Sequence, residues 1–313
     1  MTSLRIELDG LQQAAWERLF DAIPDSTLEQ SWTYGEAVRT AAGRNVHRGL
    51  ISNEEGPVGL VQVFGHRLFG LVRVSEILRG PLFLPEATSA ERAGSLALVA
   101  RTWPRGILHL SRWLPEIEES PEAHAMLREA GVRQVVTGYS TRLVDLTLSE
   151  EVLRRGLDGK WRNALAGAEK AGMRVRPARG GDAVARIAGA HDKVRRRRRF
   201  VGPSGATAAA FLAMVRRKRD LLAVTVSRGS TPLSGALFLG HGQAATYYMG
   251  WTSKEGREAN AQNLALWQGM LVLKNDGFTS LDLGGIDTHR EPGIARFKIG
   301  IGGRLVTLAG SWM

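Results

Sequence analysis

The stretch that decides the fold lies between Ala244 and Gly303: AATYYMG (244–250), ANAQNLALWQGMLVLKN (259–275), SLDLGGI (280–286), PGIARFKIGIGG (292–303). The first run alternates like a half-buried strand, the second has the length and apolar density of a helix, and the third is a short apolar run closed by two glycines. Runs at 221–227 and 233–240 precede them as strands, and 304–309 follows as another. This half of the chain therefore reads as mixed α and β, with hairpins feeding a sheet that helices cover.

Upstream, 151–171 reads as one amphipathic helix. Its Leu153, Leu157, Trp161, Leu165 and Ala168 share a side, and Gly172 stops it. A short strand at 173–176 follows, then a helix from about 182 to the arginine run at 195–199, a glycine- and proline-containing loop, and a helix over 207–219. The first half shows a similar order. Helices are expected at 11–23 (ended by Pro24), 31–42, 89–102 (capped by Ser89) and 121–130. Strands are expected at 49–51, 58–64, 68–74, 80–83, 107–110, 132–137 and 141–146. Two domains, 1–148 and 149–313, follow from this repeated order and from the length of 313 residues.

Composition narrows the chemistry. A hydrophobic content of 43% supplies enough apolar surface for folded cores. The absence of cysteine removes disulfides, thiolate metal sites and a cysteine nucleophile, and no other metal-ligand cluster stands out. Arg5, Glu7 and Asp9 interrupt the opening segment where a secretory signal needs an apolar run, and no run is long enough to cross a bilayer. A cytoplasmic location is expected. The net charge is +11, and residues 151–220 hold 19 Lys or Arg against 6 Asp or Glu, so this segment carries the whole excess. It is either a solvated basic face or the contact for a polyanion: RNA, a nucleotide-linked substrate or an anionic membrane. Arg195, Arg196, Arg197, Arg198 and Arg199, with Arg217 beyond them, are the strongest candidates for an RNA backbone. Phe200 and Phe211 are the only aromatics nearby, too few for base stacking along a long strand.

Ordered together, Lys160-Trp161-Arg162-Asn163 with Glu169-Lys170-Ala171-Gly172, then Tyr247-Tyr248 and Gly250, then LDLGGI at 281–286, then Gly293-Ile294, Phe297-Lys298 and Gly302-Gly303 resemble the C-terminal domain of FemAB/FemX-type aminoacyltransferases. The resemblance covers roughly 154–303. Gln30-Ser31-Trp32 and Arg79-Gly80-Pro81 are similar to that family's first-domain signatures. What the resemblance implies is an α/β (α+β) chain of two tandem GNAT-like domains, each a mixed, mainly antiparallel sheet covered by helices. It further implies aminoacyl-tRNA as co-substrate with no other cofactor, and an amine-bearing small molecule, peptide or nucleotide-linked acceptor expected between the halves. Lys298 of the family's Phe-Lys pair would stabilise charge on the tRNA end or the intermediate.

Asp282 either faces a cleft to hold or deprotonate an ammonium group, or is a buried, hydrogen-bonded strand aspartate. Tyr247 and Tyr248 point to opposite faces of one strand, so one is expected to pack and the other to open to the site; Tyr248 is expected among the catalytic residues with Lys298 and Asp282, and Tyr247 among the substrate-binding ones. Asp287, His289 and Arg290 add polar groups, His289 being a base or a surface residue. Phe297, Trp32 and Arg79 complete the substrate-binding set, and Lys160, Arg162, Asn163 and Lys170 the tRNA-binding one. Without a nucleophile motif, direct aminolysis of the ester is the simplest chemistry. One rival is an acyl-CoA-dependent GNAT N-acyltransferase, opposed by the lack of glycine in 257–263 for a pyrophosphate loop. The other is a non-catalytic RNA-binding protein, which leaves Asp282 and Lys298 without a purpose.

Overall fold

The computed structural model describes residues 3–199 and 202–313. In chain order the elements are β1 (Arg5–Leu8), α1 (Gln13–Asp21), α2 (Trp32–Ala42), β2 (Asn45–Ser52), β3 (Pro57–Leu68), β4 (Val72–Leu78), β5 (Leu82–Phe83), α3 (Ser89–Thr102), β6 (His109–Leu114), α4 (Pro121–Glu129) and β7 (Gln134–Val136). They continue with β8 (Ser140–Asp145), α5 (Glu150–Arg155), α6 (Gly159–Lys170), β9 (Arg174–Ala178), α7 (Gly181–Arg198), α8 (Gly205–Met214), β10 (Leu221–Arg228), β11 (Thr231–His241) and β12 (Ala244–Thr252). The last are α9 (Lys254–Glu258), α10 (Ala261–Asn275), β13 (Ser280–Asp282), α11 (Pro292–Ile299), β14 (Arg304–Thr307) and β15 (Ser311–Trp312). Two compact units result: the chain up to Ser140 together with Val306–Met313, and Thr141–Leu305.

The first unit is built on a sheet ordered β1-β2-β3-β4-β6-β15-β7, with β5 paired to β3. Strand β15, between β6 and β7, comes from the far end of the chain: Trp312 pairs with Trp113 of β6 and with Gln134 of β7. Helices α3 and α4 bury Leu96, Val99, Ala123 and Leu127 against Val61, Ile77 and Trp312. Thr88 rather than Ser89 caps α3, its hydroxyl and the Glu91 carboxylate satisfying each other's backbone N–H groups.

The second unit's sheet runs β14-β8-β13-β12-β11-β10-β9; β8 with β13 and the successive pairs from β12 to β9 are antiparallel, and β12 meets β13 in parallel. Helices α6 and α10 lie on one face, where Trp161, Leu165, Leu264 and Trp267 pack with Val224, Ala236 and Phe238. Helix α7 lies on the other. A Cβ at Gly235, one residue before Ala236, would strike Ile187 of α7, and one at Gly269 of α10 would strike Phe238.

Four local expectations are corrected. The single helix over 151–171 is two, because Gly156 and Leu157 turn the chain and Asp158 caps a fresh start through the N–H of Lys160. The helix over 207–219 stops at Met214. After Val215 come the like-charged residues 216–219, and Arg217 and Arg219 both reach Asp220 around the short 3-10 turn Lys218–Asp220. The strand expected over 68–74 is interrupted by a turn at Phe69 and Gly70, both with left-handed φ. Residues 292–299, given no regular structure from sequence, form α11 with Pro292 in its first turn.

Candidate active site

Strand β13 sits beside β12 for three residues only, Ala244 to Thr246 opposite Ser280 to Asp282. Strand β12 continues to Thr252, while the other chain turns away at Gly284, whose φ of 69° suits glycine. On its other side, β12 carries a register shift that places Met249 opposite Leu237 but Tyr247 opposite Phe238, so Tyr248 is an extra residue in the strand. The carboxylate of Asp282 therefore stands at the point where two parallel strands part.

Asp282 is 6% exposed. Its Oδ1 accepts hydrogen bonds from the Thr141 hydroxyl and from the Gly284 N–H at 2.7 Å. The same hydroxyl lies 3.1 Å from the Gly284 carbonyl, so β8 fixes both the acid and the turn after it. Lys298, 9% exposed on α11, donates from Nζ to the Gly285 carbonyl at 2.8 Å. Burial lowers its pKa to about 8, and the negative charge of Asp282 opposes that fall. At neutral pH the group is thus a nearly enclosed cation beside a carboxylate.

Trp161 seats α11 in place. Its ring lies 5.9 Å from that of Phe297, and its Nε1 donates to the Phe297 carbonyl at 3.1 Å. The glycines beyond Lys298 serve the fold instead of opening room for a ligand. A Cβ at Gly302 would come 2.5 Å from the Gly156 carbonyl, and one at Gly303 2.4 Å from that of Leu143. Tyr247 packs on Phe238, and its hydroxyl accepts from Gln262 Nε2 at 3.0 Å; burial raises its pKa. Tyr248 is the more buried of the two at 7% exposure, while Tyr247 is partly buried.

The loop from Gly285 to Glu291 is exposed at Asp287, His289 and Arg290. The Asp287 carboxylate accepts from the backbone N–H of Arg290 at 2.8 Å and of His289 at 3.0 Å, and these bonds hold its pKa below the ordinary value. Glu291, just before α11, meets Arg198 of α7 at 3.5 Å. The arginine end of α7 therefore reaches the same loop as Lys298. Of that cluster, Arg195 is tied to Asp192, while Arg196, Arg197 and Arg199 are exposed without an ion-pair partner among the described residues. Phe200 lies outside the described residues.

Other expected contacts fall elsewhere. Arg217 is held by the buried Asp220 at 2.7 Å. Lys160, Arg162, Asn163 and Lys170 are exposed on α6, across the sheet from α7. Trp32 and Arg79 belong to the first unit, where each is already engaged. The Arg48 guanidinium lies 3.6 Å from the Trp32 ring, and buried Arg79 makes a two-pronged contact with Glu116 at 2.8 and 2.6 Å. Sequence reading missed Thr141, the Gly285 carbonyl and Glu291, which join the site only through strand pairing and loop return. No group of three metal-ligating side chains occurs among the described residues.

Residues 153–298 match the family model of the acetyltransferase (GNAT) domain. No curated protein matches the chain by sequence. Among solved structures, that of FemX superposes with a TM-score of 0.80 at 15% identity, covering 98% of this chain and 96% of that one. A tandem GNAT protein from the clavulanic acid biosynthesis pathway gives 0.56 at 13% identity over 99% and 98%. L-PGS from Bacillus licheniformis gives 0.53 at 11% identity over 96% and 89%. The chain thus has a FemX-like tandem GNAT fold, with residues 153–298 matching the GNAT acetyltransferase domain.

Proposed function

We propose that the protein is an acyltransferase that moves an amino acid from aminoacyl-tRNA to an amine by direct aminolysis, with Lys298 at the reacting end. The observation that carries this reading is an enclosed lysine, cationic at neutral pH, where β12 and β13 part and beside a loop linked to exposed arginines. Such a cation stabilises negative charge far better in a desolvated site than in water. The acceptor nitrogen attacks the ester carbonyl, the C–N bond forms, and the carbonyl oxygen takes the negative charge. Collapse then breaks the C–O bond, and the ribose hydroxyl leaves with the proton that the amine gives up. One Lys298 proton is engaged by Gly285, which leaves two to meet the oxyanion or the terminal phosphate. Asp282 favours the charged form of Lys298 and holds the acceptor amine, and Thr141 orients Asp282.

The exposed Arg196, Arg197 and Arg199 suit the tRNA backbone. Acyl-CoA is disfavoured as donor because a helical turn, α9, occupies the approach to α10. It carries Glu255 and Glu258, and its Gly256 is packed against the Leu233 carbonyl. The test is incubation of candidate amines with charged tRNA, uncharged tRNA or acetyl-CoA, read by mass spectrometry. Aminoacylated product from charged tRNA alone supports the proposal. Acetylated product from acetyl-CoA replaces it with the GNAT alternative.

A further inference from the structure

Large apolar side chains stand in solvent on two adjacent loops of the first unit. On the turn from β3 to β4, Phe69 is 96% and Leu71 72% exposed; on the approach to β6, Ile107 is 100% and Leu108 60% exposed. Strand pairing sets the loops side by side. Leu68 pairs with Val72 across the turn, Arg73 pairs with His109, and the Arg73 N–H donates to the Leu108 carbonyl at 2.9 Å. Arg67, Leu71, Arg73, Leu108 and His109 line one open hollow of about 250 Å³.

Neither the turn nor the core accounts for these residues. Phe69 has a φ of 51°, a conformation that glycine or asparagine adopts at less cost, and its ring touches no aromatic partner among the described residues. The charges nearby are of one sign. Residues 65–73 and 104–109 contain Arg67, Arg73 and Arg105 and no acid. All three arginines are exposed and lack an ion-pair partner among the described residues.

We propose that this double loop docks the protein on the surface of a bilayer containing anionic lipid. Apolar tips projecting from a ring of arginines match that surface in both layers: the tips reach the acyl boundary while the guanidiniums meet lipid phosphates. A protein partner would need acids placed around an apolar socket, whereas an anionic membrane offers both everywhere. The inference is independent of the acyl-transfer reading, since it uses no residue of the second unit.

The test is co-sedimentation of the full chain with vesicles of phosphatidylcholine, alone or mixed with phosphatidylglycerol. Binding is expected to the mixed vesicles, weakening with salt, and to be at most slight with phosphatidylcholine alone. Phe69→Ser combined with Ile107→Ser lowers the affinity about 10-fold or more. Arg67→Gln combined with Arg105→Gln lowers it and flattens the salt dependence. Both variants melt like the wild type, because the altered side chains are exposed. Unchanged binding by either double variant overturns the proposal, as does binding that disappears only when Arg195 to Arg199 are replaced. A dimer that Phe69→Ser dissolves, with no vesicle binding, assigns the patch to a second copy and overturns it equally.

Discussion

The ammonium of Lys298 is held by the main-chain carbonyl of Gly285 at 2.8 Å, and its charge faces Asp282 without leaving the interior. A buried lysine lowers stability when charged, so its removal separates catalysis from folding. Lys298→Met should reduce turnover by roughly 100-fold or more while the protein stays folded. Lys298→Arg should recover only part of this, because a planar fork does not place its protons where an ammonium does. Rates and melting curves measured together check both.

The same lysine sets a pH dependence of stability. Its pKa is about 8 in the fold against 10.5 in the unfolded chain, so between these values the unfolded chain binds more protons and stability rises with pH. Below about pH 8 the full cost of the buried charge is present, on the order of 3 kcal/mol. Urea unfolding of wild type and Lys298→Met across this window should show Met conferring its largest relative advantage near neutrality. The gap should shrink as pH rises.

Turnover should carry the matching signature. If the ammonium form acts on the oxyanion, the rate falls as pH climbs through about 8. Lys298→Met should lose that descending limb along with most of its activity. A rate that instead rises to a plateau above this pH would make the lysine a base.

Asp282 and Thr141 act through the lysine and the acceptor. Asp282→Asn is expected to raise the acceptor KM more than it lowers kcat. Thr141→Val removes the donor to Asp282 Oδ1 without changing the volume much, and should reproduce a weaker form of the same KM effect. A uniform loss of folded protein in both would reduce the pair to a structural role.

How much of this site was legible in the sequence follows from the range of each interaction. Asp282 at the end of a strand and Lys298 beside Phe297 were identified from order and residue type. The helix holding Lys298 was not, because Pro292 and Gly293 open it and it is only eight residues long. Thr141 is 141 residues from Asp282, and nothing local marks their contact. The glycines at 302 and 303 stood in the sequence only as part of the family resemblance, and the fold shows the close approach of Gly156 and Leu143 to which they answer. Arg217 looked like its neighbours in the basic segment, and only the fold shows that Asp220 neutralises it. The return of β15 into the first sheet rests on two residues with no periodicity to detect.

Charge contacts give a paired prediction. Replacing Arg196, Arg197 and Arg199 with serine should weaken tRNA binding and reduce the slope of log affinity against log salt by roughly 2. Arg217→Ser should leave that slope alone and lower thermal stability, because Asp220 would lose the nearer of its two guanidinium partners in a buried setting. Filter binding at several salt concentrations distinguishes the two.

The most direct measurement is single-turnover transfer from a pool of charged tRNAs to a panel of amines, with wild type and Lys298→Met side by side and acetyl-CoA as the competing donor. The expected result is an aminoacyl amide formed by the wild type from charged tRNA, absent with acetyl-CoA, and slowed about 100-fold or more in the variant. Acetylation from acetyl-CoA, or aminoacyl transfer at the wild-type rate by a folded Lys298→Met protein, would contradict the assignment.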